Sequence, residues 1–304
     1  MLRQALLYLS ENRSLRHWME NSPLSRRLTS RFVAGSTLDD GVNVLQTLSR
    51  QGILGTLDFL GENVHSLEEA SHSRDSYIAA QCAIDRAGLP ATVSIKLTQF
   101  GLDFSQDDCL GNVIELVERA RKMNSRVEID MESSDYTERT LDIITRLHNQ
   151  FPGAVRAVVQ AYLYRSEADI RVLSQHGIPV RLCKGAYREP ATVAFPRKEE
   201  VDANYLKLML LLLNEGTYPA IASHDESIIN KGLQHVKEQK IAPDRFEFQM
   251  LYGIRRDLQR KLMSKGYRLR LYVPYGDAWY PYFMRRLAER PANVLFLARN
   301  LLRN

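Results

Sequence analysis

Eight short runs of β-branched and other apolar residues punctuate this chain: 53–59, 92–97, 126–131, 156–161, 179–184, 219–223, 246–250 and 268–273. Longer stretches of helical period separate them, most plainly at 109–124, 137–150, 168–177 and 202–215. Turn signals stand ahead of several runs: Gly88-Leu89-Pro90, Phe151-Pro152-Gly153, His176-Gly177-Ile178-Pro179 and Lys265-Gly266. Repeated strand–helix alternation predicts a parallel sheet, because parallel neighbours are joined by crossovers whose helices cover the sheet. Eight such units in about 250 residues fit a closed (β/α)8 barrel of the TIM type, an α/β fold. An open doubly wound sheet is the alternative. Helical signals with Ser/Thr/Asn punctuation precede the first strand, so the chain divides into an N-terminal helical arm, 1–45, and a barrel domain, 46–304. No linker or internal repeat splits it further.

Composition narrows the class. Of 304 residues 44% are hydrophobic and 25% charged, which suits a globular core and excludes a disordered chain. The longest apolar run, 208–213, falls far short of the roughly 20 residues a membrane-spanning helix needs. The opening MLRQALLYLSENRS reads as an amphipathic helix and not as a signal peptide. Cys82, Cys109 and Cys183 have no CxxC spacing, which points away from a disulfide framework or zinc ribbon and toward the cytoplasm. The net charge of +5 is uneven: residues 251–304 carry 12 Lys/Arg against 3 Asp/Glu, the rest 29 against 33. A basic end of this kind suits nucleic acid, an anionic membrane surface or an anionic ligand, or is a solvated face. Composition does not separate these.

Alternation within the strands says more. Val93 and Ile95 alternate with Ser94 and Lys96, and Val127 and Ile129 with Glu128 and Asp130. Phe246, Phe248 and Met250 alternate with Glu247 and Gln249; Leu269, Leu271 and Val273 with Arg268, Arg270 and Tyr272. If the apolar face meets the helices, ionisable groups of both signs point into the barrel, where charge must be paired or serve a ligand. Barrel sites lie at the C-terminal strand ends. Those ends read Lys96, Asp130 with Met131, Gln160, Lys184-Gly185-Ala186-Tyr187, Ser223-His224-Asp225, Gln249 and Tyr272. After the last strand, Tyr282, Arg285, Arg286 and Glu289 share one helical face, which suits a small carboxylate or is an exposed basic face with an internal ion pair. No GxGxxG, Walker A, HExxH or GxSxG motif occurs, and histidine spacing supports no zinc site. Lys96 or Lys184 at a strand end keeps open a Schiff-base lyase of the aldolase kind.

The runs Thr56-Leu-Asp-Phe-Leu-Gly-Glu62, Ser94-Ile-Lys-Leu-Thr98, Glu128-Ile-Asp-Met-Glu132 and Arg181-Leu-Cys-Lys-Gly-Ala-Tyr187 resemble those of proline dehydrogenases. So do Ala222-Ser-His-Asp225, Phe246-Glu-Phe-Gln-Met-Leu-Tyr-Gly253, Leu271-Tyr-Val-Pro-Tyr-Gly276 and Arg285-Arg-Leu-Ala-Glu-Arg-Pro-Ala-Asn293. The resemblance covers roughly residues 50 to 300, in order, and is to the bacterial monofunctional form. It implies a distorted barrel holding FAD at its C-terminal mouth. The implied reaction is oxidation of L-proline to Δ1-pyrroline-5-carboxylate by hydride transfer to flavin N5, with electrons passed on to a membrane quinone. Arg285 and Arg286 would clamp the proline carboxylate with Lys96 nearby. Tyr187, Tyr272 and Tyr282 would form the lid and walls around the ring, Tyr282 favouring proline over hydroxyproline. Arg181 would approach N5, and Asp130 would stand in the catalytic centre, as a base or as a partner for Lys96 or Arg181. Met131, Gln160, Lys184, Gly185, Ala186, Ser223 and His224 would hold FAD, Ser223 standing where the family often has Thr. The implied partners are proline, the quinone and a peripheral contact with the inner face of the cell membrane, with no role for nucleic acid.

Overall fold

The computed structural model of the chain describes residues 30–61 and 64–289, with side chains through residue 284. Most of the expected arm, residues 1–29, lies outside the described residues, as do Glu62 and residues 290–304. Helix α1 (Leu38–Arg50) leads into β1 (Leu54–Phe59), α2 (Leu67–Arg86), β2 (Ala91–Ile95), α3 (Gln106–Lys122), β3 (Val127–Ile129) and α4 (Thr137–Gln150). The chain continues through β4 (Val155–Gln160), α5 (Ser166–Gln175), β5 (Val180–Cys183), α6 (Lys198–Glu215), β6 (Ala220–Ala222) and α7 (Glu226–Glu238). It ends with β7 (Glu247–Leu251), α8 (Arg256–Ser264), β8 (Leu269–Tyr275) and α9 (Trp279–Glu289). The strands fall within two residues of the expected bounds. They pair in parallel in chain order, and β1 closes on β8 from Leu54↔Arg270 to Phe59↔Tyr275. That closure removes the open-sheet alternative.

Local chemistry starts the helices where the period begins. Thr37 and Asp40 cap α1 reciprocally, the Thr37 hydroxyl accepting from the Asp40 N–H while the Asp40 carboxylate accepts from the Thr37 N–H at 3.0 Å. Ser66 and Ser105 do the same one-sidedly for α2 and α3. The apolar strand face packs outward: Val93, Ile95, Val127, Ile129, Phe246, Phe248, Leu269 and Leu271 meet the helices in one core. Helix α1 belongs to that shell, since Leu45 and Leu48 are buried in it. Gly55 in β1 is what lets α1 approach, because a Cβ there would sit 2.1 Å from the Leu45 methyl.

Barrel interiors of this class are ordinarily filled by layers of branched apolar side chains. Here the inward positions are ionic. Asp58, Glu128, Arg156, Arg181, Glu247 and Arg270 are all buried, Glu128, Arg156 and Glu247 completely. Strand register brings Ser94, Glu128 and Arg156 abreast, and sets Gln249 beside Arg270. The basic end of the sequence is partly absorbed by the fold. Arg270 is an interior residue, Arg255 and Lys261 share Glu226, and Arg268 donates to the Asp244 carbonyl at 3.0 Å. Among the described residues no helix is long and apolar enough to cross a membrane.

Candidate active site

Asp130, the residue after β3, is the hub of the barrel mouth. Its N–H extends the ladder to the Ile95 carbonyl at 2.8 Å, which aims the carboxylate inward. Oδ1 accepts from the Ser94 hydroxyl at 2.8 Å and from Arg181 Nη2. Oδ2 accepts from the Tyr272 hydroxyl at 2.9 Å and lies 3.6 Å from Lys96 Nζ. Lys96 in turn donates to Asp58 Oδ1 at 3.0 Å, and Asp58 is buried on β1. The Arg181 guanidinium lies over the Tyr272 ring, 5.5 Å from its centroid. Burial pushes the Tyr272 phenol well above its usual range, with the Asp58 charge adding to it, so it remains a hydrogen-bond donor. Lys96, Asp130, Arg181 and Tyr272 are thus brought into one cluster, from four different strands or strand ends.

Beneath them lies a second, fully enclosed layer. Arg156 bridges Glu128 and Glu247 at 3.0 and 2.6 Å, Arg270 reaches Glu247 at 2.9 Å and Glu128 at 3.7 Å, and Arg181 reaches Glu128 at 3.1 Å. Gln249 donates to both Glu128 oxygens, at 3.2 and 3.1 Å, and accepts from Arg181 at 3.3 Å. Burial alone would raise Glu128, but Arg156, Arg181 and Arg270 outweigh it and hold the carboxyl below its usual range. Burial likewise opposes ionisation of Glu247, and Arg156 and Arg270 bring it well below. Across the two layers, Asp58, Glu128, Asp130 and Glu247 match Lys96, Arg156, Arg181 and Arg270 one for one. This pairing is what allows so many charges inside a barrel.

The remaining expected residues form a rim over β3 to β6. Met131 is buried directly after Asp130. The Gln160 amide donates to the Glu132 carbonyl at 2.8 Å. Lys184 is paired with Asp202 and with Asp225, the latter at 3.2 Å. Ser223 Oγ accepts from the Asp225 N–H at 3.1 Å, and His224 Nε2 accepts from the Leu251 N–H at 2.9 Å, which puts a neutral ring's proton on Nδ1. Gly185 has φ +113°, and a Cβ there would meet the Tyr162 ring at 2.3 Å. Ala186 and Tyr187 follow on an exposed loop, Tyr187 41% exposed. Glu189 of the same loop accepts from the Ser134 N–H at 2.7 Å and fastens it across to the β3–α4 connection.

Tyr282 is buried on α9 among Phe32, Val33, Leu60, Ile254 and Phe283. The backbone of Arg285 and Arg286 continues that helix, and their side chains lie outside the described residues. Sequence reasoning singled out the Asp130, Lys96, Arg181 and Tyr272 positions but passed over Asp58, Arg156 and Glu132. For Asp58 the signal was present, since Thr56 and Asp58 alternate with Leu57 and Phe59 as in the other strands. Arg156 reads from sequence as the first residue of its strand, and only closure of the barrel turns that edge into the deepest interior.

A closed (β/α)8 barrel with varied polar side chains converging at the C-terminal strand ends is an enzyme scaffold, with its site where such barrels carry chemistry. The family profile described as proline dehydrogenase matches residues 42–299. Proline dehydrogenase 1 of Bacillus subtilis (strain 168) is 41% identical over 303 residues, covering all of both chains. Proline dehydrogenase of Deinococcus radiodurans is 41% identical over 280 residues, covering 91% of this chain and 90% of that one. Among solved structures, proline utilization A (PutA) from Bdellovibrio bacteriovorus, inactivated by N-propargylglycine, superposes with a TM-score of 0.81 at 26% identity. That match covers 86% of this chain and 32% of the PutA chain, so this chain spans about a third of PutA's length. The chain belongs to the proline dehydrogenase family, and oxidation of proline is the activity that membership carries. The lyase alternative therefore falls.

Proposed function

We propose that the barrel mouth binds FAD and L-proline and oxidises proline to Δ1-pyrroline-5-carboxylate, with a membrane quinone as final electron acceptor. The observation that carries this reading is the Asp130 cluster, in which a buried arginine, a lysine and a tyrosine share one carboxylate at the strand ends. The donor set fits a flavin dinucleotide. Arg181 and the Gln160 amide suit a ring edge rich in acceptors, Lys184 suits a diphosphate, and Ser223 and His224 add polar contacts beside it. Arg181, Met131, Gln160, Lys184, Gly185, Ala186, Ser223 and His224 would hold the group, and bound FAD would accept hydride at N5.

The chain's own residues then bind and orient. Arg285 and Arg286 offer paired forks to the proline carboxylate, with Lys96 alongside. Tyr272, Tyr282 and, from its loop, Tyr187 enclose the pyrrolidine ring and keep water from the carbon that loses hydride. Both Asp130 oxygens are already engaged by donors, which supports an orienting role for this carboxylate: it fixes Arg181, Tyr272 and Lys96 rather than collecting the substrate proton. Arg181, a buried cation, would favour negative charge held on a cofactor beside it. A peripheral contact with an anionic bilayer belongs to the same reading, since the quinone resides there, and cosedimentation with liposomes that ignores lipid charge and salt would remove it. The decisive test is an absorbance spectrum of the purified protein before and after anaerobic L-proline. Flavin bands that bleach with proline are expected; a protein that stays colourless after FAD is added overturns the proposal.

A further inference from the structure

Arg181 faces two carboxylates at once. Asp130 lies above it at the barrel mouth, and Glu128 lies below, with Oε2 at 3.1 Å from Nη1. Glu128 is completely buried, and its two oxygens are divided among Arg156, Arg181, Arg270, Gln249 and the Thr92 hydroxyl. Glu247 is as deeply buried in the same network and bonds Arg156, Arg270 and Gln249, yet no contact joins it to Arg181 among the described residues. Two carboxylates therefore share the same structural duty, and one of them alone touches the arginine beneath the site.

We infer that Glu128 is a positioning residue for the reaction: it holds Arg181 from below and offsets part of its charge, and so sets how strongly the site favours the reduced cofactor. The inference rests on the proposed flavin chemistry. A buried cation beside the cofactor favours the electron-rich state, and a buried anion bonded to that cation moderates the effect. The low effective dielectric of the interior carries this influence across a layer of side chains. Ser94 and Asp130 would still hold the guanidinium without Glu128, so the side chain keeps its place while its charge is less balanced.

The experiment is a spectroscopic redox titration of the FAD-loaded full chain with Glu128→Gln and Glu247→Gln. Glu128→Gln is expected to favour two-electron reduction by about tenfold, a rise of about 30 mV in midpoint potential. Glu247→Gln removes the same charge from the same network at one remove from Arg181, and is expected to move the potential by less than half as much. Glu128→Gln combined with Arg156→Met removes a buried pair together and spares the fold an uncompensated cation. It is expected to shift in the same direction by a smaller amount, and decides the matter if the single variant does not fold. An unchanged or lowered potential in the Glu128 variants, or an equal rise in Glu247→Gln, overturns the inference and leaves Glu128 a structural counterion. A wild-type chain that takes up no FAD overturns the functional reading itself, and this inference with it.

Discussion

Replacing Arg156 by Met tests the ionic interior directly. The guanidinium is fully enclosed, 3.0 Å from Glu128 and 2.6 Å from Glu247, and its aliphatic stem is matched in length by methionine. The substitution leaves two buried carboxylates short of their shared cation. Breaking a buried pair in this way costs about 3–5 kcal/mol. At about 2 °C per kcal/mol for a chain of this size, the melting temperature should fall by roughly 6–10 °C. The sign of the pH effect follows from the carboxyls. In the wild type both are held below their usual value of 4.5, so they add stability above that value and lose it as pH falls through the folded one. In the variant the attraction of Arg156 is gone while burial, which raises them, remains. Protonation then relieves the variant, and the gap to wild type should narrow from about pH 7.5 to about pH 5.5. Urea unfolding followed by tryptophan fluorescence at both pH values measures the gap. Arg165→Met is the control: that side chain is 41% exposed, pairs with Asp169 and Glu138, and should cost under about 1 kcal/mol. If Arg156→Met costs no more than the control, or its deficit widens on acidification, the reasoning is refuted.

Three further outcomes are expected. Tyr272→Phe removes the hydroxyl that donates to Asp130 at 2.9 Å; at about 1.5–3 kcal/mol for a bond to a charged group, kcat/KM for proline should drop by roughly tenfold or more. A wild-type kcat/KM would separate Tyr272 from the chemistry. Arg286→Lys keeps the charge but loses the planar fork, so KM for proline should rise more than kcat falls, and an unchanged KM takes Arg286 out of the clamp. Gly185→Ala forces a Cβ to 2.3 Å from the Tyr162 ring at φ +113°, a strain of about 1–3 kcal/mol. Lower flavin content per chain and a lower melting temperature should both follow; full FAD occupancy with wild-type melting would show that the loop yields freely.

Much of the architecture was legible because it depends on local periodicity. A strand that packs its outer face on helices must alternate every second residue, and each helix must repeat every three to four, whatever the partners turn out to be. Hence 53–59 and 246–250 announce strands, and the end of each strand marks where the site must be. The identities of Lys96, Asp130 and Tyr272 followed from the same alternation, whereas Arg181 came only from the family resemblance. Their joint meaning did not, because nothing local says that β3 and β5 aim Asp130 and Arg181 at one another from 51 residues apart.

The sequence by itself determined the repeated strand–helix order, the polar inner face and the chemical types at the strand ends, since these reside in residue type and spacing. Tertiary structure alone decided which charges neutralise which. Closing β1 onto β8 brings Asp58 to Lys96, sets Arg156 between Glu128 and Glu247 across 28 and 91 residues of chain, and draws Arg270 from a basic C-terminal run into the floor of the barrel. Electrostatic pairing depends on distance in space and on the exclusion of water, and both come into existence only when the sheet closes.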